Sequence, residues 1–220
     1  MFVNPFYISR KGLNKAITKL ISKLHGTIVD IGCGTKPYES FTNNSKYIGL
    51  EIDTEVTRAR NIADYYYDGI NMPFDNNSIN SVITSQVFEH VFTPNKFLQE
   101  INRILCHDGK LLLSVPLVWD EHEQPHDYAR YTSFGLKDML HKNGFEVIEF
   151  IKTSNDFSAV IQLIIAYIQK TMFVENKYIN LFITVIFIAT INVIGVLISK
   201  ILPKNNDFYL DNVVLAKKVK

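Results

Sequence analysis

The chain of 220 residues predicts an α/β fold around a mostly parallel sheet. Two observations carry that reading. Short aliphatic runs at Thr27–Ile31, Tyr47–Ile52, Asn80–Ser85 and Lys110–Val115 alternate with stretches of helical spacing, and such alternation places helices on both faces of a parallel sheet. The composition, 47% hydrophobic against 20% charged, supports one packed core of ordinary size and excludes wholesale disorder or a low-complexity architecture.

Along the chain, Leu13, Ala16, Ile17, Leu20, Ile21 and Leu24 recur at helical spacing with Lys15, Lys19 and Lys23 opposite. They predict an amphipathic helix over residues 9–24 that ends near Gly26. With Arg10 and Lys11, those lysines interrupt any apolar segment of a signal peptide, so none is expected. Strands follow at Thr27–Ile31 and Tyr47–Ile52, then a short helix, a weak strand near Asn61–Ala63 and a strand at Asn80–Ser85. Thr93 and Pro94 open a helix as cap and first-turn residue. A strand follows at Lys110–Val115, then a helix from Thr132 to about Asn143, stopped by Gly144. Phe145–Lys152 and Phe208–Lys217 read as the last two strands.

Between those two strands lie two uncharged segments. Phe157 to Gln169 places Phe157, Val160, Ile161, Ile164, Ile165 and Ile168 on one helical face. Tyr178 to Ser199 has no charge in 22 positions, long enough to cross a bilayer, although Asn180, Thr184, Thr190 and Asn192 dilute it. Residues 1–155 and 203–220 therefore read as one domain, with 156–202 as a hydrophobic helical insertion that associates with a membrane. If the flanking strands pair, the chain must leave and return on one side, which favours a monotopic anchor over a single crossing. Core helices or a homodimer interface are the competing readings.

Lys and Arg number 23 against 22 Asp and Glu, which gives no field for holding a nucleic-acid backbone, and no nucleic-acid partner is expected. Cys33 and Cys106 form neither a disulfide framework nor a CxxC pattern, which suits a reducing, cytoplasmic setting.

The chemistry centres on Val29-Asp30-Ile31-Gly32-Cys33-Gly34-Thr35, where a strand ends in a turn whose glycines let backbone approach a ligand. Lys36-Pro37 stand where a dinucleotide fingerprint would carry its third glycine. This argues against a pyrophosphate cradle and for a nucleoside without phosphates.

From about residue 27 to 151, and again in the final strand, the chain resembles the class I S-adenosylmethionine-dependent methyltransferases. The resemblance implies a Rossmann-like, doubly wound, seven-stranded sheet with an antiparallel last strand. It implies that Asp30, Gly32, Cys33 and Gly34 surround the methionine part of the cofactor. Glu51, in Tyr47-Ile48-Gly49-Leu50-Glu51, would hold both ribose hydroxyls, with Asp53 as the alternative. Asp68, in Asp68-Gly-Ile-Asn-Met72-Pro73-Phe74, would meet the adenine amino group. Two departures, Ile79-Asn80 and His107-Asp108-Gly109, fall at turns.

The family faces the transferred methyl with residues after its fourth strand, here Ser85-Gln86-Val87-Phe88-Glu89-His90. Some relatives bind a divalent cation there with a second Glu at the Gln86 position. Gln86 lacks that charge, so no metal is expected. The segment Glu121 to Thr132 resembles an HExPHDYxRYT stretch of bacterial methyltransferases from surface-glycan and secondary-metabolite clusters. A hydroxyl acceptor needs a base near neutral pH, and His126 is the first candidate and His122 the second, ahead of Glu89 and His90. Alternatively Asp127 and Arg130 pair while the histidines brace the loop, or His122, His126 and Glu123 bind zinc, which the interruption at Pro125 disfavours. Tyr7 and Arg10 lie in a segment that commonly closes over the cofactor in this fold. The expectation is methyl transfer, most simply O-methylation, from S-adenosylmethionine to a small-molecule, glycan or lipid-linked acceptor at the inner membrane face. The competing functions are a silent binding scaffold and a nucleotide-dependent oxidoreductase.

Overall fold

The computed structural model describes residues 2–42 and 45–219. A seven-stranded sheet has the order β3-β2-β1-β4-β5-β7-β6, with β1 Thr27–Ile31, β2 Lys46–Ile52, β3 Tyr65–Tyr67, β4 Ile79–Ser85, β5 Leu105–Pro116, β6 Phe145–Lys152 and β7 Asp211–Lys218. β1 pairs in parallel with both β2 and β4, and β4 with β5; β7 runs antiparallel. Strand order reverses at β1 and β4, so chain leaving their carboxyl ends diverges to either side. This opens the crevice where doubly wound sheets bind ligands.

The helices are α1 Tyr7–Ile21, α2 Glu55–Arg60, α3 Pro94–Ile104, α4 Ser133–Lys142 and α5 Phe157–Met172, followed by α6 Lys177–Ile183 and α7 Ala189–Ser199. A π turn at Thr184–Ile188 joins α6 and α7 into one helix, Lys177–Ser199. α3 shows how the sequence makes its layer: Phe97, Leu98, Ile101 and Ile104 fall on one face and are buried, in a cluster with Val29, Val82, Leu111 and Leu113 of the sheet. Thr132 caps α4 by accepting the Gly135 amide at 3.2 Å.

Several expectations change; the first helix runs Tyr7–Ile21 rather than over 9–24, and the last strand starts at Asp211 rather than Phe208. The weak strand predicted near residues 61–63 lies at Tyr65–Tyr67, because Asn61, at φ +51°, closes α2 in the left-handed conformation that asparagine tolerates. β5 starts at Leu105 rather than Lys110: Ile79 pairs with Leu105 and Ser81 already with Lys110, so a bulge at His107-Asp108-Gly109 absorbs the extra residues inside the strand. Thr93 makes no side-chain cap, and Pro94 alone marks the start of α3.

The chain divides into two compact units, one of residues 17–116, 121–151 and 212–220, the other of residues 1–16, 117–120 and 152–211. The second unit therefore holds more than the 156–202 insertion, for a physical reason. Gln162 and Asn192, both fully buried, have donors that need carbonyls, and the N-terminal segment supplies them. Gln162 Nε2 donates to the Pro5 carbonyl at 2.7 Å and Asn192 Nδ2 to that of Phe2 at 2.7 Å. Tyr7 and Ile8 complete an apolar cluster with Ile161, Ile165 and Ile188. Arg10, for its part, lies over the Phe6 ring.

Within this unit α5 and α7 meet at Gly195, where a Cβ would lie 2.5 Å from Ile161 Cγ2. The outer face of the long helix is apolar and uncovered: Tyr178, Leu181, Phe182, Val185, Ile194 and Leu197 are exposed. Gly195→Val should destabilise the protein by about 1–3 kcal/mol through overpacking, read from chemical unfolding; an unchanged midpoint would contradict the α5–α7 contact.

Candidate functional site

The first group of predicted residues gathers at the carboxyl ends of β1, β2 and β3. β1 ends at Ile31, and Gly32 and Gly34 follow with φ of +71° and +52°. The Gly32 amide donates to the Leu50 carbonyl at 2.8 Å. The Gly34 amide donates to Glu51 Oε1 at 2.7 Å, so the acid that ends β2 is fixed against the turn that ends β1. Above Gly34 there is open space: a Cβ there would meet no atom within 4 Å. The turn thus offers bare backbone and open space to a ligand, with Glu51 at its edge.

Asp30 is buried at 1% exposure beneath this turn, where its carboxylate accepts a short hydrogen bond from the Tyr47 hydroxyl. Burial pushes its pKa up to about 7, against the lowering effect of Tyr47. This pair, the acid buried and the tyrosine half-buried, braces the turn from below. Cys33 is buried too, and burial, then Glu51 and Asp30, push its thiol up to about 12, so it stays protonated and packs as a small apolar side chain.

Asp53 is exposed and engaged elsewhere, taking Arg58 Nε and Nη2 at 2.5 and 2.7 Å. Of the two acids on β2 and just after it, Glu51 is the one at the glycine turn. Asp68 sits just past β3, beside β2 in the sheet, and shapes its own loop: Oδ1 accepts the Ile70 and Asn71 amides at 2.8 and 2.6 Å. Gln86, in the left-handed region at φ +57°, turns its amide Nε2 toward Ser114 Oγ at 3.3 Å.

The second group gathers after β4 and β5. Glu89 and His90 lie on a 3₁₀ turn, Phe88–His90, that follows β4. The loop after β5 is sewn to it: the Tyr128 and Ala129 amides donate to the Glu89 carbonyl at 2.9 and 3.2 Å, and His90 Nδ1 is 2.7 Å from the His126 carbonyl. Asp127 and Arg130 pair, as the bracing alternative has it, with two bonds of 2.6 Å. The guanidinium holds the Asp127 carboxyl well below the usual carboxylate range. Asp127 Oδ2 also accepts the His122 amide at 3.0 Å and faces His122 Nδ1 at 3.3 Å. This brings His122 to His90, ring centroids 4.9 Å apart. His126 is exposed, its Nδ1 3.0 Å from the Tyr128 hydroxyl.

Sequence reasoning missed Tyr47 as the partner of Asp30. The signal lay in the register of the paired strands: Tyr47 stands opposite Ile28, and Ile28 and Asp30 alternate onto the same face of β1. It also missed Lys36, which leaves the glycine turn to bind Asp64 Oδ2 at 2.7 Å. That carboxylate in turn accepts the Gly49 amide at 2.7 Å, tying the turn to β2.

A doubly wound sheet, an open glycine turn at its reversal point and an acid at the end of the next strand match the class I S-adenosylmethionine-dependent methyltransferase fold, and the comparisons support that class. The sequence profile of the methyltransferase domain family matches residues 29–113, from β1 into β5. A Bos taurus protein named "Probable tRNA methyltransferase 9B" is 28% identical over 94 residues, 40% of this chain; the chain spans about a fifth, 21%, of that protein's length. Among solved structures, phosphoethanolamine N-methyltransferase 2 of Haemonchus contortus, in complex with S-adenosyl-L-methionine, matches with TM-score 0.58 and 17% identity, over 95% of this chain and 53% of that one. A SAM-dependent methyltransferase from Aquifex aeolicus matches with TM-score 0.52 and 14% identity, over 98% and 99%. The [4+2]-cyclase SpnF matches with TM-score 0.55 and 16% identity, over 92% and 80%. At these identities the structures share the fold with this chain, and the cyclase shows that the fold alone does not fix the reaction.

The residues present fit the cofactor. No atom crowds the position of a Cβ at Gly34, and the Glu51 carboxylate has acceptor capacity beyond its bond to the Gly34 amide that suits a vicinal diol.

The Asp30 carboxyl gives a pH signature. Its folded pKa, about 7, lies above its ordinary value of 3.8, so the fold binds the proton more tightly than the unfolded chain does. That contribution to stability is full at acid pH and is lost as pH rises through the folded value. Asp30→Asn should flatten the pH dependence of the urea midpoint between about pH 4 and 7; an unchanged slope would contradict the buried, proton-holding carboxyl.

Proposed function

We propose that this chain transfers a methyl group from S-adenosylmethionine to the hydroxyl of a small, glycan or lipid-linked acceptor at the cytoplasmic face of a membrane. The observation that supports cofactor use most directly is the open turn at Gly34 with Glu51 bonded to it. When bound, the cofactor supplies an electrophilic methyl carbon on a sulfonium. Gly34 backbone and Glu51 hold the nucleoside, Asp68 lies at the same sheet edge for the adenine, and the turn after β4 faces the acceptor side. Displacement at a sulfonium carbon is largely a matter of placing the nucleophile, and a hydroxyl also needs a base. His126 serves that role: its ring is exposed, and the Tyr128 hydroxyl orients it through Nδ1.

Membrane attachment is supported by the helix Lys177–Ser199, whose mean hydropathy is 2.7 with only 22% of its most apolar stretch buried. A core helix of that composition would be mostly covered. β6 and β7 are sheet neighbours, so residues 153–210 must leave and return on one side. We read the segment as a monotopic anchor, with Lys177, Lys200 and Lys204 near the ends of its long helix to meet anionic headgroups.

Calorimetry with S-adenosylhomocysteine tests the cofactor site. Glu51→Ala should weaken binding by about 1–3 kcal/mol, the scale for unpaired hydroxyls, Gly34→Arg should abolish it, and Asp53→Ala should change it little. A larger loss from Asp53→Ala, or retained binding in a folded Gly34→Arg protein, would refute the assignment.

Co-sedimentation with anionic vesicles tests the anchor. The full chain should pellet with them, and a chain with residues 156–202 replaced by a short turn should not. A full chain that stays in the supernatant without detergent would refute membrane attachment.

A further inference from the structure

One cluster carries chemistry that positioning a methyl acceptor does not by itself require. Glu89, His90 and His122 each bring one potential ligand atom within 4.8 Å of the others. Glu89 is fully buried and the two histidines are half-buried. Glu89 and His90 come from the turn after β4, and His122 from the loop after β5, some 30 residues on. Their proximity is a product of the fold.

The hydrogen bond to the His90 ring sets which nitrogen it presents. A carbonyl only accepts, so the 2.7 Å contact of His90 Nδ1 with the His126 carbonyl places the ring proton on Nδ1. His90 Nε2 then carries the lone pair, 4.0 Å from Glu89 Oε1. His122 Nδ1 lies 3.3 Å from Asp127 Oδ2 and 3.5 Å from Arg130 Nη2. Asp127 in turn is held by both terminal nitrogens of the Arg130 fork, so the His122 ring stands beside a fixed pair. A carbonyl behind the His90 ring and a carboxylate beside the His122 ring are groups of the kind that orient metal-binding histidines.

We propose that Glu89, His90 and His122 bind one divalent transition cation of the zinc, cobalt or ferrous kind through a Glu89 oxygen and one ring nitrogen of each histidine. Two nitrogen donors in three select against magnesium and calcium, which take oxygen ligands. Bonds of about 2.1 Å at tetrahedral angles put donors about 3.4 Å apart, so the 4.0 Å between Glu89 Oε1 and His90 Nε2 closes by a few tenths of an ångström on binding. Three protein ligands leave a coordination position for an oxygen, from water or from an acceptor hydroxyl, beside the end of the strand next to β1. The site itself stands independently of methyl transfer; only its use on an acceptor oxygen rests on the function proposed above.

The test is titration of the full chain, freed of metal by chelator and then of chelator, with Co²⁺ followed by visible absorption and calorimetry. One equivalent should bind with the absorption of low-coordinate cobalt, and excess Mg²⁺ should not displace it. His122→Ala and His90→Ala should each weaken binding more than Asp127→Asn, for which about 10–100-fold is expected of an outer partner. His141→Ala, on exposed α4 surface, should leave it unchanged. In the wild-type chain, Zn²⁺ should shift the ring resonances of His90 and His122 and spare those of His107 and His141, which keeps the test decisive if a variant fails to fold. S-adenosylhomocysteine binding measured on the same samples separates the two readings: cobalt bound at the trio without it sinks the cofactor assignment alone. Absence of one-equivalent cobalt binding, binding indifferent to both histidine variants, or zinc shifts that miss His90 and His122 would overturn the metal site.

Discussion

The hydrogen bond from the Gly34 amide to Glu51 is the contact on which the rest of this site depends. It joins the ends of two parallel strands at the point where the sheet changes winding direction, and it does so with a backbone donor and an acid. A side chain at Gly34 would project into the open space, and the glycine's positive φ adds strain against any replacement. The acid is aimed by this bond before any ligand arrives, so its acceptor capacity is held in place without an ordering cost at binding. Beneath it, the Asp30–Tyr47 pair and the Lys36–Asp64 bridge hold the turn from two further directions.

A second set of contacts does for the acceptor side what that bond does for the nucleoside side. The loop after β5 contains six titratable residues in eight from Glu121 to Tyr128, and such a loop would ordinarily be solvated and mobile. Two amides on the Glu89 carbonyl, the His90 contact and the Asp127–Arg130 fork fix it to the turn after β4 instead. Charge-assisted, two-pronged pairing is geometrically specific, and in this loop it decides which of two nearby histidines joins Glu89 and His90. His122 is drawn in and His126 is left exposed.

Local signals were legible in the sequence and long-range ones were not. Thr27–Ile31 and Phe145–Lys152 match the strands residue for residue, because short β-rich runs bounded by glycine are a local property. The glycine turn was legible because its positive φ at Gly32 and Gly34 favours glycine. The start of β5 was not, since a bulge lets a strand continue through residues that read as a turn. Nor was the grouping of the N-terminus with the hydrophobic segments: it rests on Gln162 and Asn192 finding carbonyls of Pro5 and Phe2, more than 150 positions away. His122 illustrates the same limit, since sequence showed that the residue could do chemistry and only the fold showed which groups it joins.

The long apolar helix and the cofactor turn belong to different compact units of the chain, and methyl transfer of any kind requires the turn first. The central claim is that Gly34 and Glu51 form a nucleoside site. A crystal structure of the chain with S-adenosylhomocysteine tests it most directly. The nucleoside should occupy the space over Gly34, with both ribose hydroxyls on the Glu51 carboxylate at about 2.5–3.0 Å. A nucleoside seated elsewhere, or one whose ribose is held by Asp53 while Glu51 keeps only its bond to Gly34, would contradict that claim.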